Sequence, residues 1–314
     1  MFSVLGAGVA GLCTATALAE RGATVEVIDT DPNPTGASWY AGGMLAPFCE
    51  GEAASDTVVS RGQAARDWWA KRVPNVLTNG TLVVAPGRDR KEIDRFEKAT
   101  TGGVRVVPAR LEPDLGSRFS EGLFFADEAH LDPRAACQAL TVRLRDLGAE
   151  LLFGGQAAPR GQIIDCRGLA ARDLLPDLRA VRGEMLFLET SEIRLSRPVR
   201  LLHPRFPCYV VPRGNGRFMV GATMIESDND GPVTARAMME LLSAAYTLHP
   251  AFAEAAVIET GAGLRPSPPD NLPSVLHRGD RIFVTGLYRH GFLMAPSLAE
   301  EVATTIFQEG HHAS

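Results

Sequence analysis

The sequence lacks any uninterrupted apolar run of the ~18 residues that a membrane-spanning helix needs. Its first strand-like segment starts at residue 2 with no basic stretch before it, so we expect no signal peptide. The net charge of −5 gives no broad cationic surface, which disfavours nucleic acid and anionic lipid as partners. These absences favour a cytoplasmic protein without an integral membrane segment.

Cysteine is scarce and scattered. No two cysteines form a C-x-x-C pair, and none has the spacing of a metal-ligand set. We therefore expect reduced thiols, as in the cytosol, and no zinc or other metal. The five residues are Cys13, Cys49, Cys137, Cys166 and Cys208.

The sequence does have a glycine-rich first segment that reads as a dinucleotide-binding βαβ unit. Phe2–Leu5 is an apolar strand, a glycine turn follows, residues 12–21 have a helical pattern, and residues 24–28 form a second strand. In such a unit the first glycine permits the turn, the second admits a pyrophosphate, and the third lets the helix pack closely. We predict nucleotide contacts from Gly6, Gly8, Val9, Ala10, Gly11, Asp29 and Thr30.

The acid that ends the second strand narrows the choice of nucleotide. Asp29 lies 18 residues after Gly11, where a carboxylate accepts hydrogen bonds from a ribose diol. The same carboxylate repels a ribose 2′-phosphate, so NADP is disfavoured. The βαβ unit alone does not separate NAD from FAD, because both contain ADP.

A second small-residue segment carries a family resemblance. Residues 37–47 run A-S-W-Y-A-G-G-M-L-A-P. This segment resembles the flavin-contacting stretch of the D-amino-acid oxidase and glycine oxidase superfamily of FAD enzymes, and within it the glycine oxidases of thiamine biosynthesis. The resemblance implies FAD as cofactor, with small residues beside its ribityl chain and pyrophosphate and the Gly-Met pair against the isoalloxazine. The implied contacts are Ala37, Ser38, Gly42, Gly43 and Met44.

The C-terminal block resembles the closing motif of the same family. Residues 281–286 read as a strand and turn, residues 287–296 as a loop, and residues from about 297 to 307 as a helix. In the family this loop and helix start meet the pyrimidine edge of the flavin, where their dipoles stabilise the reduced anion. The implied cofactor contacts are Gly286, Tyr288, Arg289, His290, Gly291, Phe292 and Leu293.

Two residues of this block are also candidates for other roles. Arg289 matches the family position near the substrate amine. His290 has the chemistry of a general base, but the resemblance favours a flavin contact. The loop contains no cysteine at the place where covalent-FAD relatives carry their attachment residue, so we expect non-covalent FAD.

Two further motifs resemble the substrate-binding part of glycine oxidases. Residues 208–213 and 221–224 match a hairpin, and G-L-R-P at 263–266 matches a carboxylate-binding turn. An amino-acid carboxylate that enters an apolar cavity needs a fixed cation as its partner. Arginine suits this role best, because its planar guanidinium makes two parallel charge-assisted hydrogen bonds to a carboxylate. The resemblance implies that Arg265 binds the carboxylate, that Tyr209 donates a phenolic hydrogen bond to it, and that Met224 narrows the cavity.

The order of these segments predicts an α/β protein of two interleaved domains. We expect a Rossmann-like FAD-binding domain from residues 1–60, 130–182 and 255–314. An α+β substrate domain on an antiparallel sheet would comprise residues 61–129 and 183–254. Only 15 residues separate Leu147 from Ile163, where relatives fit several more strands, so we expect the layer over the adenine to be trimmed.

The resemblance implies oxidative deamination of glycine or a similar small amino acid. Hydride would pass from Cα to flavin N5, O2 would become H2O2, and the imine would feed thiazole formation for thiamine. Two alternatives stay open: a D-amino-acid or imino-acid dehydrogenase that reduces a quinone, and a non-catalytic FAD-binding subunit. Relatives commonly form dimers and tetramers, so a homo-oligomer is compatible with the sequence.

Overall fold

The computed structural model describes residues 1–203 and 208–312. In this described part of the chain the strands form two large sheets and one two-stranded pair, with eight α-helices packed around them. The helices are α1 (Val9–Ala19), α2 (Pro47–Glu50), α3 (Asp56–Gly62), α4 (Ala65–Ala70), α5 (Lys91–Ala99), α6 (Pro133–Asp146), α7 (Ala235–Leu248) and α8 (Gly291–His312). No helix within the described residues combines the length and apolar character needed to cross a membrane.

The first sheet contains the predicted βαβ unit. Its strands are β1 (Phe2–Leu5), β2 (Val25–Asp29), β8 (Glu150–Phe153), β9 (Gln162–Asp165), β16 (Ser274–Arg278) and β17 (Arg281–Thr285), in the order β16-β17-β9-β1-β2-β8. All neighbouring pairs are parallel except β16 with β17. Helix α1 is buried along its whole length, since β1 and β2 lie on one side of it and α6 and α8 pack nearby.

The segment between α6 and β9 is short, and we expected it to lack the additional strands that relatives have there. Between α6 and β9 the chain forms one strand, β8, which adds to the edge of the parallel sheet beside β2. No additional antiparallel layer is built from residues 147–163, all of which the structure describes.

The second sheet is mostly antiparallel, with nine strands among the residues that the structure describes. They are β4 (Thr81–Val84), β5 (Val104–Val106), β6 (Gly122–Phe125), β10 (Arg179–Glu189), β11 (Val199–Leu201), β12 (Cys208–Pro212), β13 (Arg217–Gly221), β14 (Ile225–Glu226) and β15 (Ala256–Ser267). The predicted hairpin joins β12 and β13, with Arg217 N donating to Gly214 O at 3.0 Å. The remaining pair is β3 (Met44–Leu45) with β7 (Ala129–His130).

The G-L-R-P motif at residues 263–266 was expected to be a turn, and this is wrong. It lies inside β15, which pairs with β10 over almost its whole length. Its glycines serve close packing instead, because a Cβ on Gly261 would overlap the Tyr40 ring and one on Gly263 would stand 3.0 Å from Ala37 Cα. The 3₁₀ turn Ala37–Tyr40 therefore rests directly on this strand.

Two helix predictions also need correction. The amphipathic pattern of residues 58–72 predicts a single helix, but the structure splits it into α3 and α4, with Gly62 at the break packed against Leu293. The closing helix begins at Gly291 rather than near residue 297. Pro296 lies inside α8 without breaking it, because the Phe292 carbonyl that would accept its missing N–H receives the Trp69 indole N–H at 2.8 Å.

Two strands of the second sheet, β10 and β15, include residues that were expected in the FAD-binding domain, and for β10 these are its first residues, from Arg179. Residues 256–267 were expected in the FAD-binding domain, but β15 belongs to the second sheet. Its partner β10 is the next strand in from this edge, pairing with β15 on one side and with β13 and β14 on the other. The assignment of the segments to two domains stays a prediction.

Candidate functional site

A cavity of about 1310 Å³ extends from the glycine turn after β1 to the face of the second sheet. This is larger than the ~300–1,000 Å³ of an ordinary ligand pocket, as a dinucleotide plus a small substrate requires. Seventeen of the predicted site residues line it: Gly6, Gly8, Val9, Ala10, Asp29, Thr30, Ala37, Ser38, Gly42, Met44, Tyr209, Met224, Arg265, Tyr288, Arg289, Gly291 and Phe292.

One end of the cavity is formed by backbone at the start of α1. Gly8 caps this helix without a side-chain hydrogen bond, and the first turn contains no acidic residue. Of the N–H groups in this first turn, that of Val9 is already used, since it donates to Ser38 Oγ at 3.0 Å. Free N–H groups and the positive end of the helix dipole therefore meet the cavity, which suits a pyrophosphate.

The glycines of this turn are fixed by close approach. A Cβ on Gly11 would overlap the carbonyl oxygen of Gly6, and a Cβ on Gly6, whose φ is +96°, would stand 2.7 Å from Cys166 O. Asp29 completes the turn: its carboxylate accepts the N–H of Ala7 at 2.7 Å and that of Asp31 at 2.9 Å. The carboxylate is thus held at the end of β2, beside the cavity.

A second helix begins at the middle of the cavity. Helix α8 starts at Gly291, its first turn has no acidic residue, and Gly291 and Phe292 line the wall. The preceding loop is tightly turned: Tyr288 has φ +43° and the His290 N–H donates to Leu287 O at 2.7 Å. The loop therefore directs the N-terminus of α8 into the cavity, where it can stabilise negative charge.

The other five predicted contacts support the wall from behind. Gly11 packs on Gly6, and Gly43 (φ +68°) faces Leu131 and Pro133. Gly286 (φ +73°) faces Leu272 and Pro268, and His290 is 6% exposed behind Arg289. Leu293 was expected beside the flavin but packs instead in the hydrophobic core against Gly62.

The opposite end of the cavity is formed by side chains, with Arg265 at its centre. The Arg265 guanidinium donates from Nη1 to Thr223 O at 3.1 Å, and Gly183 on the neighbouring strand leaves room for it, since a Cβ there would overlap the guanidinium. Burial lowers the pKa of Arg265, although the group stays cationic at neutral pH. No carboxylate of the described residues lies within 4.0 Å of it.

Tyr209 and Met224 line the same cavity as this cation. Gly42 makes space for the phenol ring, because a Cβ there would be 2.7 Å from Tyr209 Cε2. Burial raises the pKa of Tyr209, so its hydroxyl remains a donor at neutral pH. Met224 Sδ lies 3.6 Å from the Tyr288 hydroxyl and 3.8 Å from Arg289 Nη1.

The sequence prediction missed a buried carboxylate in the wall. Glu50, at the end of α2, places Oε2 2.8 Å from Arg289 Nη2 and Oε1 3.5 Å from Arg200 Nη1. Burial would raise the pKa of Glu50, but the charges of Arg289 and Arg200, joined at low pH by that of His290, outweigh it and lower the pKa to about 2. Glu50 is therefore ionised at neutral pH.

His290 stands next to this carboxylate with Nδ1 3.4 Å from Glu50 Oε2. Burial lowers the pKa of His290 to about 4, even though Glu50 acts in the opposite direction. The imidazole is neutral at pH 7 and adds no charge. In the sequence, the only signal for Glu50 is an acid directly after the apolar segment 44–49.

A metal centre has no support in the described part of the chain, where no group of three His, Cys, Asp or Glu side chains could hold an ion. The described residues instead offer two helix N-termini to a dinucleotide and the Arg265 guanidinium, which has no carboxylate partner among them, to a small anion.

Comparison with known proteins agrees with this arrangement. The family model described as FAD dependent oxidoreductase matches residues 2–305. The chain is 54% identical to a Rhizobium etli protein named as a thiamine biosynthesis oxidoreductase, ThiO, over 98% of this chain and 96% of that one. It is 27% identical to a glycine oxidase of Bacillus licheniformis, over 96% and 92% of the two chains.

A solved structure, the glycine oxidase of Bacillus cereus, has the same fold, with a TM-score of 0.84 at 21% identity over 98% of this chain and 95% of that one. The family match spans nearly the whole chain, both sheets included. The chain therefore belongs to the family of FAD-dependent oxidoreductases.

Proposed function

We propose that this chain is an amino-acid oxidase that converts glycine, or a similar small amino acid, to its imine. The observation that carries the proposal is Arg265, a partly buried cation without an acidic partner among the described residues, in the same cavity as a dinucleotide-type helix terminus. A lone cation in an apolar cavity requires an anion, and a single carboxylate is its simplest partner.

The residues at the backbone end fit FAD. The start of α1 would hold the pyrophosphate, Asp29 the ribose, and the start of α8 the pyrimidine edge of the flavin. FAD, when bound, supplies the hydride acceptor, and O2 takes up the two electrons and two protons that the substrate loses, giving H2O2. Nothing in the closing loop offers a cysteine for covalent attachment.

The side-chain end would fix the substrate. Arg265 makes two parallel charge-assisted hydrogen bonds to the carboxylate, and the protonated Tyr209 donates a third. With the carboxylate held, the Cα–H bond is directed at the cofactor, and orientation supplies much of the rate. The neutral His290 does not need to act as a base, because oxidation starts from a neutral amine.

The destination of the product is also a proposal. The imine of glycine is a reactive two-carbon fragment of the type that thiazole formation consumes. The name of the Rhizobium etli relative, at 54% identity, supports a role in thiamine biosynthesis.

Anaerobic addition of glycine to the FAD-loaded protein tests the proposal. We expect glycine to bleach the flavin, and admitted air to restore its colour with one H2O2 per turnover. Recovery with a quinone but not with air would assign the chain to the dehydrogenases. Bound FAD that no small amino acid, including sarcosine and D-alanine, can reduce would indicate a non-catalytic subunit.

A further inference from the structure

The arginines around the substrate end of the cavity differ in whether they have a carboxylate partner. Arg289 is paired with Glu50 at 2.8 Å, and Arg200 is paired with Glu52 at 2.7 Å and with Glu50 at 3.5 Å. Arg265 has no such partner in the part of the chain that the structure describes. Of these three arginines at the substrate end, Arg265 therefore carries the one positive charge without a carboxylate partner among the described residues.

The paired arginines are shielded from solvent. The side chains of Arg289 and Glu50 are each 18% exposed, and Arg200 is 4% exposed. All three residues also line the cavity, so a bound molecule meets the ion pairs directly. Breaking a desolvated ion pair is costly, because each partner would be left as a buried charge.

The position of Glu50 gives it a second effect on a ligand. A carboxylate that reached past Arg265 toward Arg289 would approach the negative oxygens of Glu50 in a low-dielectric setting. It would have to displace Glu50 before it could use the Arg289 guanidinium. Met224 Sδ occupies a further side of that guanidinium, 3.8 Å from Nη1.

We propose that Glu50 restricts this site to substrates with a single carboxylate, by neutralising Arg289 and opposing a second anion. The inference rests on the proposed amino-acid oxidase function and adds its charge selectivity. Specificity of this kind works by making the wrong ligand unfavourable as much as by attracting the right one. Without the charge of Glu50, Arg289 would become a second free cation suited to an amine with two carboxylate arms, such as iminodiacetate.

The test measures anion binding rather than turnover. Acetate and malonate, which carry one and two carboxylates, are titrated by calorimetry into the FAD-loaded wild type, Glu50→Gln, Glu52→Gln and the double variant Glu50→Gln with Arg289→Gln. Glutamine keeps the shape of Glu50 and removes only its charge. Glu52→Gln is the matched control, because Glu52 pairs with Arg200 and Arg95 but not with Arg289.

We expect wild type to bind malonate more weakly than acetate. Glu50→Gln should shift the ratio of the two dissociation constants toward malonate by at least about tenfold, the discrimination that one charge-assisted hydrogen bond supplies. Glu52→Gln should keep the wild-type ratio, and the double variant should lose the gain. The ratio of kcat/KM for iminodiacetate to that for glycine should follow the same order.

Three results would overturn the inference: malonate binding more tightly than acetate in wild type, an unchanged ratio in folded Glu50→Gln, or an equal shift in Glu52→Gln. The wild-type comparison decides the matter even if Glu50→Gln does not fold. The binding ratios do not depend on turnover, so a protein that fails to oxidise glycine but shows them would refute only the proposed function.

Discussion

The two ends of the cavity are made from different parts of the chain. At the nucleotide end the groups that meet the ligand are backbone N–H groups at the starts of α1 and α8, and glycines are required so that the backbone can come close. At the substrate end they are long side chains from separate strands and helices, and glycines are required so that those side chains have room.

This difference determines how each end tolerates change. The closely packed backbone cannot move aside, because a Cβ on Gly11 meets the carbonyl oxygen of Gly6, whose own N–H is bonded to Ile28 O at 2.8 Å. A side chain can move, because a Cβ on Gly183 meets only the far end of the Arg265 side chain. We therefore expect substitutions at the nucleotide end to cost the fold or the cofactor, and those at the substrate end to cost affinity.

The largest effect should come from Gly11→Val. The new side chain would overlap Gly6 O and separate α1 from β1, so the nucleotide site cannot form. We expect no FAD in the purified protein and a much lower Tm, measured from the ratio of flavin to protein absorbance and by thermal unfolding.

Gly87→Ala is the control for this substitution, because nothing lies within 4 Å of the position where its Cβ would be built. It should retain FAD and the wild-type Tm. A Gly11→Val protein that is yellow and folded would show that the backbone end has more slack than its contacts indicate.

Arg265→Met should be next in size and should leave the fold intact. It removes the free cation while keeping an apolar side chain of similar length, so FAD should still bind. We expect kcat/KM for glycine to fall by about 100-fold or more, the loss of a buried charge-assisted pair. Peroxide formation as a function of glycine concentration measures this.

Arg217→Met is the matched control, since Arg217 pairs with Glu189 on the hairpin surface and is 59% exposed. Surface ion pairs of this kind contribute little, so its kinetics should equal those of wild type. Equal losses in the two variants would remove Arg265 from its assigned role.

Gly183→Ala sharpens the comparison because it moves the cation without removing it. The added methyl group should displace the Arg265 guanidinium from its place beside β10 and weaken its bond to Thr223 O. We expect KM for glycine to rise about tenfold, smaller than the loss on removal of the charge. Unfolding curves should stay close to wild type, and a large fall in Tm would instead place Gly183 among the rigid backbone contacts.

The fold and the nucleotide end were largely predictable because their requirements are local. A strand, a glycine turn, a helix and Asp29 follow one another in 28 residues, and each has a backbone reason for its position. The hairpin of β12 and β13 was expected from the family resemblance of residues 208–213 and 221–224, and the structure contains it. Predictions failed where the reason for a residue lies far away in the sequence. Gly261 and Gly263 do not form a turn but allow close packing against Tyr40. Pro296 does not precede the closing helix but lies inside it, because the Trp69 indole N–H bonds to the Phe292 carbonyl.

The substrate end was only partly predictable, because charge pairing is set by the tertiary structure. The resemblance supplied Arg265, Tyr209 and Arg289, which lie together on the cavity wall. It gave no sign that Glu50, 239 positions before Arg289, neutralises one arginine and leaves the other free. A sequence window cannot report which of several arginines is paired.

The smallest effect should be a pH dependence at a second buried carboxyl beside the first. Glu128 accepts the Cys49 N–H at 2.7 Å, but it has no arginine partner among the described residues. Burial therefore raises its pKa from 4.5 to about 7, whereas that of Glu50 is lowered to about 2. Because the folded pKa lies above the unfolded value, the stabilisation is present below pH 4.5 and is lost as the pH rises through 7.

Glu128→Gln keeps the acceptor for Cys49 and removes the titration. Between pH 5 and pH 8 wild type should lose about 2 kcal/mol of unfolding free energy relative to this variant, a widening Tm difference of roughly 4 °C. Groups common to both proteins cancel in the difference, so thermal unfolding at matched pH values isolates Glu128. Parallel Tm curves across this range would mean that Glu128 is ionised in the folded protein, and that burial without an arginine does not determine the charge of carboxyls at this end.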